Sequence, residues 1–348
     1  MNPGIRFRRF IGIDYSGAET ADASLEGLRV YEADEDGKTI EVPPPIGPKQ
    51  YWTRRALGQW LIETLDGTTP TLVGIDHGFS FPMRYFERHR LSPEWPAFLD
   101  DFCAHWPTDA PNTYVDFIRD GLAGDGAARM GERHWLRLTE EAAGTAKSVF
   151  HFDVQGSVAK STHAGIPWLR HLRHARLNLH FWPFDGWDPA PGATVITEVY
   201  PRLWSGLYDA GHRTPDQHDA FAVASWMRDA SQSGSISDCL TAPSPETVTA
   251  TAQVEGWILG TTWPPAKRKR SARGDRKGPK MGATRPGFVN CSNQRVINGT
   301  DNPGTDHNQV VYILSCLSCG HRYGANGSDI FQRRCPTCGQ GRPGLPFE

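Results

Sequence analysis

Two short apolar runs in this chain end in the same way, Phe10-Ile11-Gly12-Ile13-Asp14 and Leu72-Val73-Gly74-Ile75-Asp76. Each stops at a carboxylate and passes into a turn-prone stretch, Tyr15-Ser16-Gly17 in one case and His77-Gly78-Phe79-Ser80 in the other. A third run, Thr194-Val195-Ile196-Thr197-Glu198, also ends on an acid, and Asp219 begins a helix of small residues, Ala220-Phe221-Ala222-Val223-Ala224. A carboxylate at the end of a buried strand is costly unless it caps, pairs or binds a cation. Each acid alone also reads as a turn or cap residue. The four together, Asp14, Asp76, Glu198 and Asp219, point to one catalytic cluster that binds cations. Two-metal phosphoryl transfer needs several carboxylates around two cations about 3.5–4 Å apart. Hard ions such as Mg²⁺ or Mn²⁺ prefer such oxygen ligands. Without cations the carboxylates repel one another and raise at least one pKa. His77 and His218 flank two of the acids and could orient a water or contact a phosphate; the plainer reading of each is a structurally bonded histidine.

A second constellation lies near the C-terminus. Cys316-x-x-Cys319 and Cys335-x-x-Cys338 stand fifteen residues apart, which is zinc-ribbon spacing. Four thiolates close the coordination sphere, so the expected Zn²⁺ is structural. Gly320 and Gly339 relieve the turn after each pair, and His307 is not expected to be a ligand. Arg322, Arg333 and Arg334 near the knuckles suit phosphate contact, although ribbons bind proteins as readily. Cys103, Cys239 and Cys291 are scattered singly, as reduced packing residues would be.

The elements that must position these groups follow from periodicity. Residues 7–14, 27–33 and 38–42 read as strands, with a hairpin turn at Glu35-Asp36-Gly37. Residues 50–66 read as a helix, because Leu57, Trp60, Leu61 and Leu65 recur at helical steps. A strand over 71–76 follows. Three antiparallel strands, a helix and a further strand is the order in which an RNase H-like sheet begins, and it makes the strands ending at Asp14 and Asp76 neighbours. Residues 80–190 are too long for a connection and read as an inserted helical subdomain or lid. A strand over 194–199 and a helix over 216–230 complete the body, with Thr214-Pro215-Asp216 as the helix start. In Glu198-Val199-Tyr200-Pro201 the proline stops further pairing and leaves the acid at the sheet rim.

Basic residues form two groups. On a helix through Ile166 to Arg176, Trp168, Leu169, Leu172 and Ala175 share one face, while Arg170, Arg173 and His174 share another. Such a stripe suits a nucleic-acid backbone, or else is a solvated face over a core. Lys160 lies just before it, in a stretch that lacks the preceding glycine of a phosphate-binding loop. Between Lys267 and Lys280, eight basic residues including Lys267, Arg268, Lys269 and Arg270 face one acid, Asp275. That composition cannot build a core, so 263–285 reads as a flexible basic linker between a body at 1–262 and a ribbon at 286–348.

Gly12-Ile13-Asp14, Gly74-Ile75-Asp76, Arg137-Leu138-Thr139-Glu140, Glu198-Val199-Tyr200-Pro201, His218-Asp219-Ala220 and Glu255-Gly256-Trp257-Ile258 resemble, in order and spacing, the motifs of a widespread family of predicted RNase H-like nucleases, domain-of-unknown-function family 429. The resemblance spans roughly residues 8–262, with His77 where a small residue is expected. It implies an RNase H-like fold and metal-dependent cleavage of nucleic acid, with Asp14, Asp76, Glu198 and Asp219 at the acidic positions.

With 348 residues, 38% of them hydrophobic, the chain can bury one sizeable core plus appendages. No run approaches the roughly 18 apolar residues of a membrane span, and no signal-peptide core follows the N-terminus, so a cytoplasmic protein is expected. The leading expectation is a metal-dependent nuclease acting on DNA rather than RNA, in defence or repair, with a possible protein partner at the ribbon. An actin-like ATPase or kinase is the alternative enzyme: Asp14-Tyr15-Ser16-Gly17 and Asp76-His77-Gly78 resemble phosphate-binding turns, but no glycine-rich adenosine segment follows residue 200. A non-catalytic adaptor for nucleic acid or protein is the third reading.

Overall fold

The computed structural model describes residues 6–65, 67–152, 157–175, 178–265, 284–290, 292–305, 310–330 and 333–347. The chain divides into two compact units, Met1–Lys267 and Arg268–Glu348. The basic run Lys267-Arg268-Lys269-Arg270 lies outside the described residues. Among the described residues no helix is long and apolar enough to cross a membrane.

The first unit is built on a mixed six-stranded sheet. Its strands are β1 (Arg9–Asp14), β2 (Arg29–Asp34), β3 (Ile40–Glu41), β4 (Thr71–Asp76), β5 (Leu179–Phe181) and β6 (Thr194–Glu198). They lie in the order β3-β2-β1-β4-β6-β5. The first three pair antiparallel; β1 with β4, β4 with β6 and β5 with β6 are parallel. The expected neighbours are therefore neighbours, and Asp14 stands opposite Asp76. The central strands read as unbroken apolar runs because helices cover both of their faces.

Side chains alternate between those faces. Ile11, Ile13, Val73, Ile75 and Ile196 enter one core cluster, and Phe10, Leu72 and Val195 enter another. The first cluster packs under α1 (Arg54–Thr64), where Thr53 caps Ala56 N–H, and under the long connection between β4 and β6. That connection contains α2 (Met83–His89), α3 (Trp95–His105), α4 (Val115–Arg119), α5 (Leu138–Ala143) and α6 (Ala159–His174). It is not a lid standing apart. Trp95, Phe98, Phe102, Trp106 and Phe150 join the same core as Ile13 and Ile75, and β5 adds a strand to the sheet. The aromatic content of the segment explains this, since such side chains must be buried against something. Within α6, Pro167 has no N–H for the carbonyl of His163; Thr108 Oγ1 donates to that oxygen instead at 2.8 Å.

The second face is covered by α7 (Pro215–Ser233), followed by α8 (Ile236–Cys239) and α9 (Glu246–Glu255). A capping box between Thr214 and Gln217, with Pro215 in the first turn, starts α7 where the sequence placed it. The helix can approach closely because Gly12 and Gly74 are register partners without side chains. A Cβ on Gly12 would lie 2.3 Å from the carbonyl oxygen of Ala220, and one on Gly74 would lie 2.9 Å from Val223 Cγ1.

The second unit holds an antiparallel sheet of β7 (Gln294–Pro303), β8 (Val310–Cys316) and β9 (Arg322–Asn326), over a small core of Val296, Leu314, Tyr323, Ala325 and Ile330.

Candidate active site

Asp14 and Asp76 close β1 and β4 in register, two residues beyond Gly12 and Gly74. Alternation therefore turns both carboxylates to the face that α7 covers. Asp219 sits in the second turn of that helix, one turn before Val223, which packs on Gly12. The two glycines thus bring three aspartates together: they let the helix down onto the strands whose ends carry the acids.

The three aspartates line a cleft of about 330 Å³. Burial and then the nearby charges of Asp76, Asp216 and Asp219 push the Asp14 carboxyl well above its usual range, against a hydrogen bond from Tyr15 N–H. Burial, Asp219 and Glu198 do the same to Asp76. Asp219 is raised by burial, opposed by a hydrogen bond with Ser205 and by His218. Asp216, one turn earlier, is raised too. Lys147 and Arg202 line the same cleft, as do Ser157, Val158 and Ser161 at the start of α6. Gly17 admits that helix, since a Cβ there would lie 2.1 Å from the Lys160 backbone carbon.

Glu198 departs from the expected cluster. Its register partner is Ile75, not Asp76, so it points to the opposite face of the sheet from the aspartates. There Arg137 grips both oxygens, Nη1 to Oε2 at 2.7 Å and Nη2 to Oε1 at 2.6 Å, and Phe79 N–H adds a third bond at 3.2 Å. Glu198 reaches the cleft wall as the partner of a guanidinium, not as a fourth open ligand. Arg137 also donates to Glu140 through Nε at 3.0 Å and to the Glu255 carbonyl at 3.2 Å. Burial works against the Arg137 charge, but Glu198 and Glu140 outweigh it and hold the group above its ordinary value. Burial raises Glu140 to about 7 in spite of Arg137. The Glu255 carboxylate caps two helices, accepting from Met83 N–H and Leu138 N–H at 2.7 Å each. Arg137, Glu140 and Glu255 had no chemical role in the sequence reading. The signal for them was their place in two of the segments that carry the family resemblance, Arg137-Leu138-Thr139-Glu140 and Glu255-Gly256-Trp257-Ile258.

His77 is buried between Tyr15 and Phe79, with Nδ1 against the Gly78 carbonyl, and burial lowers it to about 4. Its ring occupies the space left by Gly165, where a Cβ would lie 2.4 Å from Nε2. His77 is a packing residue that stays neutral. His218 Nε2 meets the Ser205 carbonyl at 2.9 Å. The two arginines of the basic stripe have acid partners, Arg170 with Asp100 at 2.6 Å and Arg173 with Asp185 at 2.9 Å, and Lys160 ahead of the stripe pairs with Asp116. A phosphate would have to compete with those carboxylates, so Arg170 and Arg173 do not stand open as the helical spacing implied.

In the second unit the four cysteine sulfurs lie within 4.8 Å of one another. Cys316 and Cys338 are 3.6 Å apart, and Cys319 and Cys335 are 3.5 Å apart. Ligands about 2.3 Å from a tetrahedral Zn²⁺ stand roughly 3.8 Å from each other, so the cluster can hold such an ion. Gln294 and the N–H groups of Cys319 and Ser318 outweigh burial and lower the Cys316 thiol to about 6. Among the described residues no other set of three or more His, Cys, Asp or Glu ligand atoms is so close. Asp14, Asp76 and Asp219 do not form a set with all ligand atoms within 4.8 Å.

Comparison of the chain with protein-family models, with curated proteins and with solved structures finds no match.

Proposed function

We propose that the first unit is a metal-dependent nuclease that hydrolyses phosphodiester bonds in nucleic acid, DNA first among them. The observation that carries this reading is the meeting of Asp14, Asp76 and Asp219 on one sheet face, in a cleft, with all three carboxyls raised by burial and those of Asp14 and Asp76 raised further by neighbouring acids. Uncompensated carboxylates in such a place are what a divalent cation stabilises. Their oxygen donors suit Mg²⁺ or Mn²⁺ rather than a thiophilic ion. The sheet order, antiparallel over β3-β2-β1 and then parallel through β4 and β6, supports an RNase H-like fold, and with it membership of the family that the motifs resemble.

Bound cations would polarise the scissile phosphate and activate the attacking water. Asp14 and Asp76 would hold the cations from the strand ends, and Asp219 would hold them from the helix. Arg137 keeps Glu198 out of that set and fixes the end of β6. Lys147 and Arg202, on the cleft lining, are suited to the substrate's phosphate oxygens. The cysteine cluster is a structural zinc site in this reading. Incubation of purified protein with labelled single- and double-stranded DNA and RNA tests the proposal, with Mg²⁺, Mn²⁺ or chelator. Cleavage that needs the metal, and is lost in Asp14→Asn, is the expected result. No cleavage of any substrate with either ion overturns it.

A further inference from the structure

We propose that the second unit carries a phosphate-binding site for the nucleic-acid backbone, built by Arg333, Arg334 and Arg342 beside the cysteine cluster. These three arginines line one cleft of about 280 Å³, together with Asp329, Gln340 and Gly341. Three cations therefore face a single carboxylate. This is the reverse of the first unit's surface helix, where each cation has an acid of its own.

Arg333 is 7% exposed, an unusual depth for a guanidinium. One nitrogen, Nη2, donates to the Pro343 carbonyl at 3.2 Å. Its Nε is buried and has no hydrogen-bond partner among the described residues. A buried charged donor without an acceptor keeps its full desolvation penalty. An anion in the cleft that Arg333 lines supplies the missing opposite charge. Arg334 and Arg342 are exposed and take part in no ion pair among the described residues. A planar guanidinium presents a fork of donors that matches phosphate oxygens.

The cysteine knuckle builds the cleft. Arg334 immediately precedes Cys335, and the chain returns over it so that Gly339 N–H and Gly341 N–H both donate to the Cys335 carbonyl at 3.0 Å. A Cβ on Gly341 would lie 2.0 Å from the Arg334 carbonyl oxygen, so a residue without a side chain is required for Arg342 to come back beside Arg334. Metal at the thiolates thus fixes the spacing of the arginines. The eight basic residues between Lys267 and Lys280 precede β7 in sequence, which favours a polyanion of repeating charge over a single acidic peptide side chain. The choice of nucleic acid as that polyanion rests on the nuclease reading of the first unit; the anion site does not.

The test is fluorescence anisotropy of the full-length, zinc-loaded chain on a labelled single-stranded DNA, without Mg²⁺ or Mn²⁺, over a series of salt concentrations. Arg334→Ala with Arg342→Ala is expected to weaken binding at least five-fold. The slope of log affinity against log salt should fall by roughly 1.4, or about 0.7 for each single-strand phosphate contact. Arg342→Ala alone is the second variant and should give about half that change in slope, and Arg333→Lys should weaken binding while keeping the charge. Zinc content and the melting profile identify variants that still fold. Unchanged affinity and slope in folded variants overturn the site. A polyglutamate peptide that competes as well as unlabelled DNA overturns the choice of phosphate. Failure of the first unit to cleave leaves this binding result standing, so the two readings fail separately.

Discussion

Glu198 and Asp76 lie on neighbouring parallel strands but one residue out of register, because Glu198 pairs with Ile75. That offset sends Asp76 toward α7 and Glu198 toward Arg137, so two acids at the same sheet edge have different partners. Asp76 is left among like charges, and Glu198 is neutralised by a guanidinium.

Arg137 should accordingly matter for stability. Arg137→Ala leaves Glu198 and Glu140 buried without their cation, and breaking a buried pair in this way costs about 3–5 kcal/mol. Urea unfolding of the first unit should show that loss. A cost under about 1 kcal/mol would mean that the network is solvated and not structural.

The aspartates should behave in the opposite way. Asp14→Asn or Asp76→Asn removes a repelling charge, so the chain without divalent cations is expected to become more stable while metal-dependent cleavage disappears. Thermal melts and cleavage assays on the same samples check both halves. Full activity in both variants is the result that rejects the acid cluster.

The pH dependence follows from the sign of the shifts. Asp14, Asp76 and Glu140 are all raised in the folded state, with Glu140 at about 7. Their contribution is complete below the ordinary carboxylate range, near 4.5 for a glutamate. Above it the unfolded chain has released protons that the folded chain still holds, so stability falls as pH rises through the folded values. Melting without divalent cations should therefore decline between about pH 4.5 and 7, the glutamate's ordinary value and its folded one. Glu140→Gln should flatten that decline. A melting temperature that rises across the window would contradict the assignment.

Close packing of α7 supplies a test of geometry. Gly12→Ala places a methyl group 2.3 Å from the Ala220 carbonyl and forces the helix away. Overpacking of this kind costs about 1–3 kcal/mol. Asp219 moves with the helix, so cleavage should fall more than stability alone explains. Activity that stays at the wild-type level in folded protein would show that Asp219 need not sit so near the strand ends.

Zinc content is checked by elemental analysis, with about one ion expected per chain from four thiolates. Cys316→Ser should abolish binding and unfold the second unit, whose core of Val296, Leu314, Tyr323, Ala325 and Ile330 is too small to stand alone, while the first unit stays intact. Limited proteolysis separates the two outcomes, and a resistant zinc-free C-terminal segment would refute the site.

Local features of the chain determined a good deal by themselves. The strand ends at Asp14 and Asp76, the helix start at Thr214 and the cysteine spacing are set by periodicity, capping and turn chemistry, which act over a few residues. Pairing across the fold is decided only by tertiary structure. Arg137 and Glu198 are 61 residues apart, and Arg170 and Asp100 are 70 apart. No local pattern announces either partner, so a surface helix whose two arginines have acid partners had the appearance of a nucleic-acid stripe. The same limit applies to Glu198. An acid at the end of an apolar run looks alike on either face of a sheet, and a shift of one residue in strand register decides which face it joins.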